Sequence, residues 1–160
     1  MKRFSVFASV AVLAVLLPGL LPAQSDPEVG TWKLNLAKST YSGTPAPKSV
    51  TTTIEAQGAG FKVGNDGVAA DGSHITYGFT AAYDGKDVPI TGAGAPNGAD
   101  TISLKRTGPS THDATLKKAG KVVLTAHAVI SKDGKTRTLT SKGTNASGQP
   151  TSTKAVYDKQ

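Results

Sequence analysis

Residues 121–131, Lys-Val-Val-Leu-Thr-Ala-His-Ala-Val-Ile-Ser, carry the pattern that decides the fold class. Every second position of this stretch is apolar: Val122, Leu124, Ala126, Ala128 and Ile130. Successive side chains of a β-strand point to opposite faces, so a two-residue period predicts a strand with one buried and one solvated face. The same period recurs in segments 50–56 and 75–83. The chain after residue 28 is therefore predicted to consist of strands.

Turn sequences separate these predicted strands. They are Asp71-Gly72, Asp84-Gly85, Ala119-Gly120 and Asp133-Gly134. Asp-Gly favours tight hairpins because both residues tolerate positive φ. Strands are predicted near 29–35, 48–56, 60–64, 68–70, 73–83, 87–91, 101–107, 111–118, 121–131, 135–143 and 151–158. A helical pattern is confined to one turn around Leu36–Lys38.

Strands joined in sequence order predict an all-β fold, a single antiparallel up-and-down β-barrel of about 8–10 strands. The alternative is a β-sandwich, because strand spacing alone does not separate the two architectures. Composition agrees with strands, since all 20 threonines follow residue 30 and threonine is enriched in sheets. The length of 160 residues indicates one domain. The absence of cysteine excludes a disulfide scaffold, a thiolate nucleophile and a cysteine-ligated zinc site.

The first 25 residues have the features of a secretory signal peptide. Lys2 and Arg3 precede an apolar run from Phe4 to Leu21, and small residues at the end of the segment suit cleavage after Ala23 or Ser25. The alternative is an uncleaved membrane anchor. We predict a signal peptide at 1–25 and a barrel domain at 26–160. The mature protein is then expected to be a secreted or periplasmic monomer with no stable membrane insertion.

The positive charge is diffuse. Removing Lys2 and Arg3 lowers the formal charge of the chain from +7 to +5. Only residues 117–121 form a basic cluster, and this cluster falls at a predicted hairpin tip. Nucleic-acid binders concentrate lysine and arginine on one face. Nucleic acid is therefore not an expected partner.

Both ends of the mature chain resemble a known group of proteins. The run 30–39, which opens on Gly30-Thr31-Trp32, and the ending Val156-Tyr157-Asp158-Lys159-Gln160 are similar to those of small secreted bacterial lipocalin-like proteins. The resemblance implies a barrel plugged at one end by Gly30 and Trp32, with a late basic side chain packed across the indole. The Thr-Asp-x-x-Tyr signature of well-characterised lipocalins, their helix after the barrel and their paired cysteines are missing. Lys154 and Tyr157 are also three residues apart, so they do not reproduce the basic-x-Tyr pair of fatty-acid-binding proteins.

The candidate ligand-binding residues are the aromatic and arginine side chains on predicted inward faces. They are Tyr77, Phe79, Arg106, Arg137 and Tyr157. An inward guanidinium needs a partner, because an unpaired buried charge is costly. Arg137 could pack on Trp32 by a cation–π contact, meet a ligand carboxylate, or extend to solvent. For Tyr77 and Phe79, which share one face of a predicted strand, packing in the hydrophobic core is the alternative to ligand binding.

Three functional hypotheses remain from the sequence. The first is an exported, non-enzymatic barrel that binds a small hydrophobic or amphipathic ligand. The second is a structural or interaction domain of the cell envelope whose barrel is filled by side chains. The third, an enzyme, lacks a matched nucleophile, base and oxyanion donor, so no catalytic residue is assigned. The three histidines lack metal-ligand spacing, and neither a metal nor a cofactor is expected.

Overall fold

The computed structural model describes residues 26–160. The predicted signal peptide at 1–25 lies outside the described residues. The twelve strands are β1 Gly30–Leu34, β2 Thr40–Ser42, β3 Ser49–Gln57, β4 Gly60–Val68, β5 His74–Ala82, β6 Val88–Pro89, β7 Thr91–Ala93, β8 Thr101–Gly108, β9 Thr111–Lys118, β10 Lys121–Ile130, β11 Thr136–Thr144 and β12 Pro150–Lys159. Two 3-10 turns, Leu36–Lys38 and Pro96–Gly98, complete the described elements.

All twelve strands belong to one antiparallel sheet that curls into a barrel. Its order is β6-β8-β9-β10-β11-β12-β1-β3-β4-β5-β7, with β2 added beside β12. The first and last long strands pair with each other, with Trp32 opposite Lys159 and Leu34 opposite Tyr157. The prediction of an all-β up-and-down barrel is confirmed, and the sandwich alternative is not what forms.

The short strands β6 and β7 close the remaining side of the barrel. They are consecutive pieces of one extended segment whose first half pairs with β8 and whose second half pairs with β5. Between them, the Ile90 amide donates to the Asp100 carbonyl at 2.8 Å. Counting β6 and β7 as one strand and setting β2 aside, ten strands surround the interior. A closed ring of this kind leaves few unpaired edges.

Several predicted boundaries were wrong. Residues 60–64 and 68–70 were expected to be two strands, but β4 continues through Asn65-Asp66-Gly67 and pairs with both neighbours over its whole length. Asp84-Gly85 does not connect two strands that pair directly with each other. Asp84 instead bridges to Lys105 of β8. Strands β2 and β7 form within segments expected to be loops, because β2 pairs with β12 and β7 pairs with β5.

A β-bulge changes the start of β10. The pairing with β9 shifts register between Val122 and Leu124, so Val122 does not share the inward face that the two-residue period predicted. Its side chain is 56% exposed, whereas Ala128 is 1% exposed. From Leu124 onward the predicted alternation holds. The extra residue of a bulge makes the side chains that precede it point to the opposite face of the sheet.

The interior has one closed end and one open end. At the closed end the segment 26–29 folds beneath the barrel, and the indole Nε1 of Trp32 donates to the Glu28 carbonyl at 2.8 Å. At the opposite end, a wide mouth is rimmed by Tyr41, the segment 44–47 and Asp71. Strands β11 and β12 run between the two ends, from Arg137 and Tyr157 below to Ser141 and Thr151 above. The apolar core lines the walls between these ends.

Candidate functional site

The barrel interior is not filled by side chains. An inner cavity of about 100 Å³ lies among β3, β4, β5, β8, β9, β10, β11 and β12. It adjoins the mouth, a half-open space of about 390 Å³. The two spaces share five lining residues, Tyr77, Pro96, Leu124, Leu139 and Tyr157. Ligand sites in proteins usually enclose about 300–1,000 Å³, a range that the mouth reaches and the inner cavity alone does not.

Small side chains create the inner space. Ala114, Ala126 and Ala128 of β9 and β10 face the interior, where a larger side chain would occupy the cavity. Opposite them stand the aromatic rings of Phe61 and Phe79. Alternating strand residues fill a small barrel only when they are large enough to meet across its axis. The alanine stripe therefore leaves room at the centre.

Trp32 occupies the closed end, where it is completely buried. The basic side chain across its ring is Lys159, whose Nζ lies 4.9 Å from the ring centroid. Packing of Arg137 on Trp32, one of the three predicted alternatives for this side chain, is wrong, because Arg137 turns instead to Glu28. Gly30 adopts φ +142°, and a Cβ there would lie 2.6 Å from Cε of Lys159. A glycine at this position lets the lysine lie over the indole.

Glu28 anchors a buried charged cluster at the floor of the cavity. Its Oε2 accepts a hydrogen bond from Arg137 Nε at 3.0 Å, and its Oε1 lies 3.1 Å from His112 Nδ1. The second contact is close but poorly directed, so Oε1 has no well-formed hydrogen bond within residues 26–160. Burial alone would raise the pKa of the Glu28 carboxyl, but the neighbouring His112 and Arg137 together lower it. Glu28 therefore stays ionised and balances the guanidinium.

Glu28 is a cavity residue that is not among the predicted binding residues. It lies close to the predicted cleavage site, yet it is 3% exposed. A signal was present, because Glu28 shares the even-numbered alternation of Trp32 and Leu34, both of which are buried. His112, a second cavity residue outside the predicted set, is 5% exposed. Only the fold of the 26–29 segment under the barrel brings the two together.

Tyrosine side chains line the cavity above this cluster. Tyr157 pairs across strands with Arg137, whose guanidinium carbon lies 5.8 Å from the ring centroid. Tyr77 lines the inner cavity and the mouth. Burial raises the pKa of both phenols. Both therefore remain protonated across the physiological range and can donate hydrogen bonds.

Four of the five predicted ligand-binding residues line the inner cavity: Tyr77, Phe79, Arg137 and Tyr157. Arg106 does not line it. Its guanidinium stacks 3.9 Å from the centroid of the Tyr83 ring and forms an ion pair with Asp26. Arg106 pairs with His112 at the end of β8, but it lies below the cavity floor, where it meets Asp26 of the closed-end segment. Whether the other four contact a ligand stays a prediction.

Among residues 26–160, no group of three or more histidine, aspartate or glutamate side chains is placed to hold a metal ion. No helix in the same residues has the length and apolar character needed to cross a membrane.

Comparison with known proteins gives structural similarity without sequence similarity. No protein-family model matches the chain, and no curated protein sequence does. The extracellular fatty acid binding protein As-p18 is 18% identical with a TM-score of 0.49, covering 84% of this chain and 97% of that one. The zebrafish ileal bile acid-binding protein complexed with cholic acid is 13% identical with a TM-score of 0.48, covering 84% and 99%. Lobster apocrustacyanin A1 is 16% identical with a TM-score of 0.44, covering 85% and 62%.

Proposed function

We propose that this protein is an exported, non-enzymatic barrel that binds a small apolar or amphipathic molecule in its interior. One observation carries the proposal: the inner cavity adjoins a mouth of about 390 Å³, and five residues line both spaces. The walls are largely apolar, and the charged groups Glu28 and Arg137 lie at the closed end. A cavity with this distribution of groups favours a ligand that has one polar end.

The competing proposal of a structural domain depends on a filled interior. The alanine stripe and the cavity beside it argue against that arrangement. Burial of apolar surface supplies about 25 cal/mol per Å², so a ligand that fills the space above Leu139 would stabilise the barrel. Unfilled apolar space, in contrast, costs the protein packing energy. Ligand binding accounts for the interior better than a purely structural role does.

Titration with ten-carbon compounds tests the proposal. Isotope-labelled residues 26–160 are titrated with 1-decanol, methyl decanoate and decanoate while backbone amide shifts are recorded. We expect at least one compound to bind with shifts at Leu124 and Leu139. Ala126→Phe, which places a ring in the cavity, should weaken that binding by about tenfold or more by occluding the site.

The control variant Val129→Phe lies on the same strand with its side chain facing outward, where Val129 is 39% exposed. It should bind as the unmodified protein does. If none of the three compounds binds, and native mass spectrometry of protein purified from its own cells shows no bound molecule, the structural alternative replaces the ligand-binding proposal.

The proposal that the protein is exported rests on the predicted signal peptide at 1–25 alone. A basic start, an apolar run and small residues before position 26 support secretion. Because Asp26 and Glu28 hold the closed end through ion pairs, cleavage after Ala23 or Ser25 would keep the plug intact. Amino-terminal sequencing of the protein recovered from the culture medium and periplasm tests this. An unprocessed chain that begins at Met1 would overturn it.

A further inference from the structure

The guanidinium that faces the cavity is already paired. Apart from tyrosines, the ionisable side chains that line the inner space are Glu28, His112 and Arg137. Glu28 and Arg137 form a direct ion pair, and His112 Nδ1 lies 3.1 Å from the same carboxylate. The charge of the guanidinium is therefore compensated before any anion enters the barrel.

Charges near the cavity do not alter this balance. Arg106 and Asp26 form their own ion pair below the floor. At the mouth the lining contains Asp71, a negative group on an exposed turn, and the positive charge of Lys48 acts on it. A carboxylate moving from solvent to the floor would thus lose its hydration without gaining an unpaired cation. Burial of an uncompensated ion is far more costly than burial of a neutral polar group.

The floor nevertheless keeps unused hydrogen-bonding capacity. Arg137 donates to Glu28 through Nε, which leaves its two terminal nitrogens for another acceptor, since a guanidinium carries five N–H donors. The cross-strand partner Tyr157 presents a phenol at the same level of the cavity. A carbonyl oxygen or hydroxyl between these two side chains would meet donors on both sides.

We propose that the cavity selects uncharged amphiphiles, with a hydroxyl, ester or ketone oxygen placed at the floor between Arg137 and Tyr157, and discriminates against free carboxylates. This inference rests on the proposed ligand-binding function and names the ligand class of the same site. Glu28 is the residue that sets the preference, because it neutralises the cation that would otherwise attract an acid. The alkyl part of the ligand lies along Leu139 and extends into the mouth.

The test compares three ligands that differ only in the polar end. Affinities for 1-decanol, methyl decanoate and decanoate are measured at about pH 8, where a fatty acid is ionised. We expect the alcohol and the ester to bind about tenfold or more tightly than the carboxylate, because only the carboxylate carries an uncompensated charge into the barrel. Equal or tighter binding of decanoate would overturn the inference and leave the proposed function standing. Failure of all three ligands to bind would refute the proposed function itself.

A charge-removing variant and a matched control locate the selectivity. Glu28→Gln keeps the shape of the side chain but frees the positive charge of Arg137, so decanoate should gain about tenfold relative to 1-decanol. Glu55→Gln changes the net charge of the protein by the same amount on the exposed face of β3, and should leave the ratio unchanged. An unchanged ratio in folded Glu28→Gln would overturn the inference. If circular dichroism shows that Glu28→Gln is unfolded, the comparison of ligands in the unmodified protein decides the question.

Discussion

Removing the carboxylate of Glu28 should destabilise the barrel strongly, whereas removing the whole ion pair should not. Glu28 and Arg137 are both buried, and their contact joins the 26–29 segment to β11 across the closed end. In Glu28→Ala the guanidinium would remain inside the barrel without its counter-charge. In Glu28→Leu/Arg137→Met, apolar side chains of similar size replace both partners.

The magnitude follows from the burial of the two groups. Loss of one partner of a buried ion pair costs about 3–5 kcal/mol, while replacement of both partners is often neutral or stabilising. For a domain of this length, each kcal/mol shifts Tm by roughly 3–5 °C. Glu28→Ala should therefore lower Tm by roughly 10–20 °C. The double variant should unfold close to the unmodified protein, and the Arg137→Met single variant should be as unstable as Glu28→Ala.

Urea unfolding of the unmodified protein, Glu28→Leu, Arg137→Met and the double variant forms a double-mutant cycle, with Glu28→Ala measured beside it. Trp32 is the single tryptophan of the chain, and its indole donates to the Glu28 carbonyl, so its fluorescence reports directly on the closed end. Circular dichroism of the sheet supplies an independent signal. Lys86→Met is the control, because Lys86 and Asp84 form an ion pair on an exposed turn, where such pairs contribute little.

If the loss in free energy of unfolding in the double variant equals the sum of the losses in the two single variants, this interpretation of the closed end is refuted. If Glu28→Ala lowers the free energy of unfolding by less than about 1 kcal/mol, the segment 26–29 is not held inside the barrel as described, since a buried charge left alone costs more than that. A Lys86→Met variant as unstable as Glu28→Ala would show that any loss of charge has the same effect. In that case burial is not the cause.

Three further outcomes are expected. Trp32→Ala should cost about 3–5 kcal/mol in urea unfolding, because it empties the plugged end; a loss below about 1 kcal/mol would contradict complete burial. Gly30→Ala should cost about 1–3 kcal/mol, because its φ of +142° disfavours a side chain. Gly64→Ala, whose added methyl meets nothing within 4 Å, should be neutral, and equal losses at the two glycines would contradict the backbone argument. Since the folded pKa of Glu28 is lowered, its stabilising effect is complete above the unfolded value near 4.5 and is lost as pH falls through the folded value. Glu28→Gln should therefore show a smaller decrease in Tm between about pH 6 and pH 3 than the unmodified protein does. An equal decrease in Tm in the two proteins would argue against an ionised Glu28.

Strand identity was accessible from sequence because it depends on local chemistry. The alternation from Leu124 to Ile130 and from Ile75 to Ala81 reports the inward face directly. Errors arose where pairing partners overrode local preference. Asn65-Asp66-Gly67 has turn chemistry, but β3 and β5 on either side satisfy its backbone and keep it extended.

The cavity floor could be predicted only in part. Arg137 and Tyr157 were recognisable as inward residues of adjoining strands, and the structure pairs them directly. The identity of the group that neutralises Arg137 was not accessible, because Glu28 and Arg137 are 109 residues apart in the chain. The basic residue over Trp32 was unpredictable for the same reason. Lys159 reaches the indole only after β12 has paired with β1.

The sequence by itself determined an all-β chain of alternating strands, the chemistry of most of its turns and the positions of its inward aromatic residues. These properties follow from periodicity and backbone preference, which act over a few residues. Tertiary structure decided that the ring closes through the divided strand 88–93, that the alanine stripe leaves a cavity that adjoins the mouth, and that Glu28 cancels the charge of Arg137. Closure, empty volume and charge compensation depend on groups brought together from distant parts of the chain, and local pattern carries no information about which of them will meet.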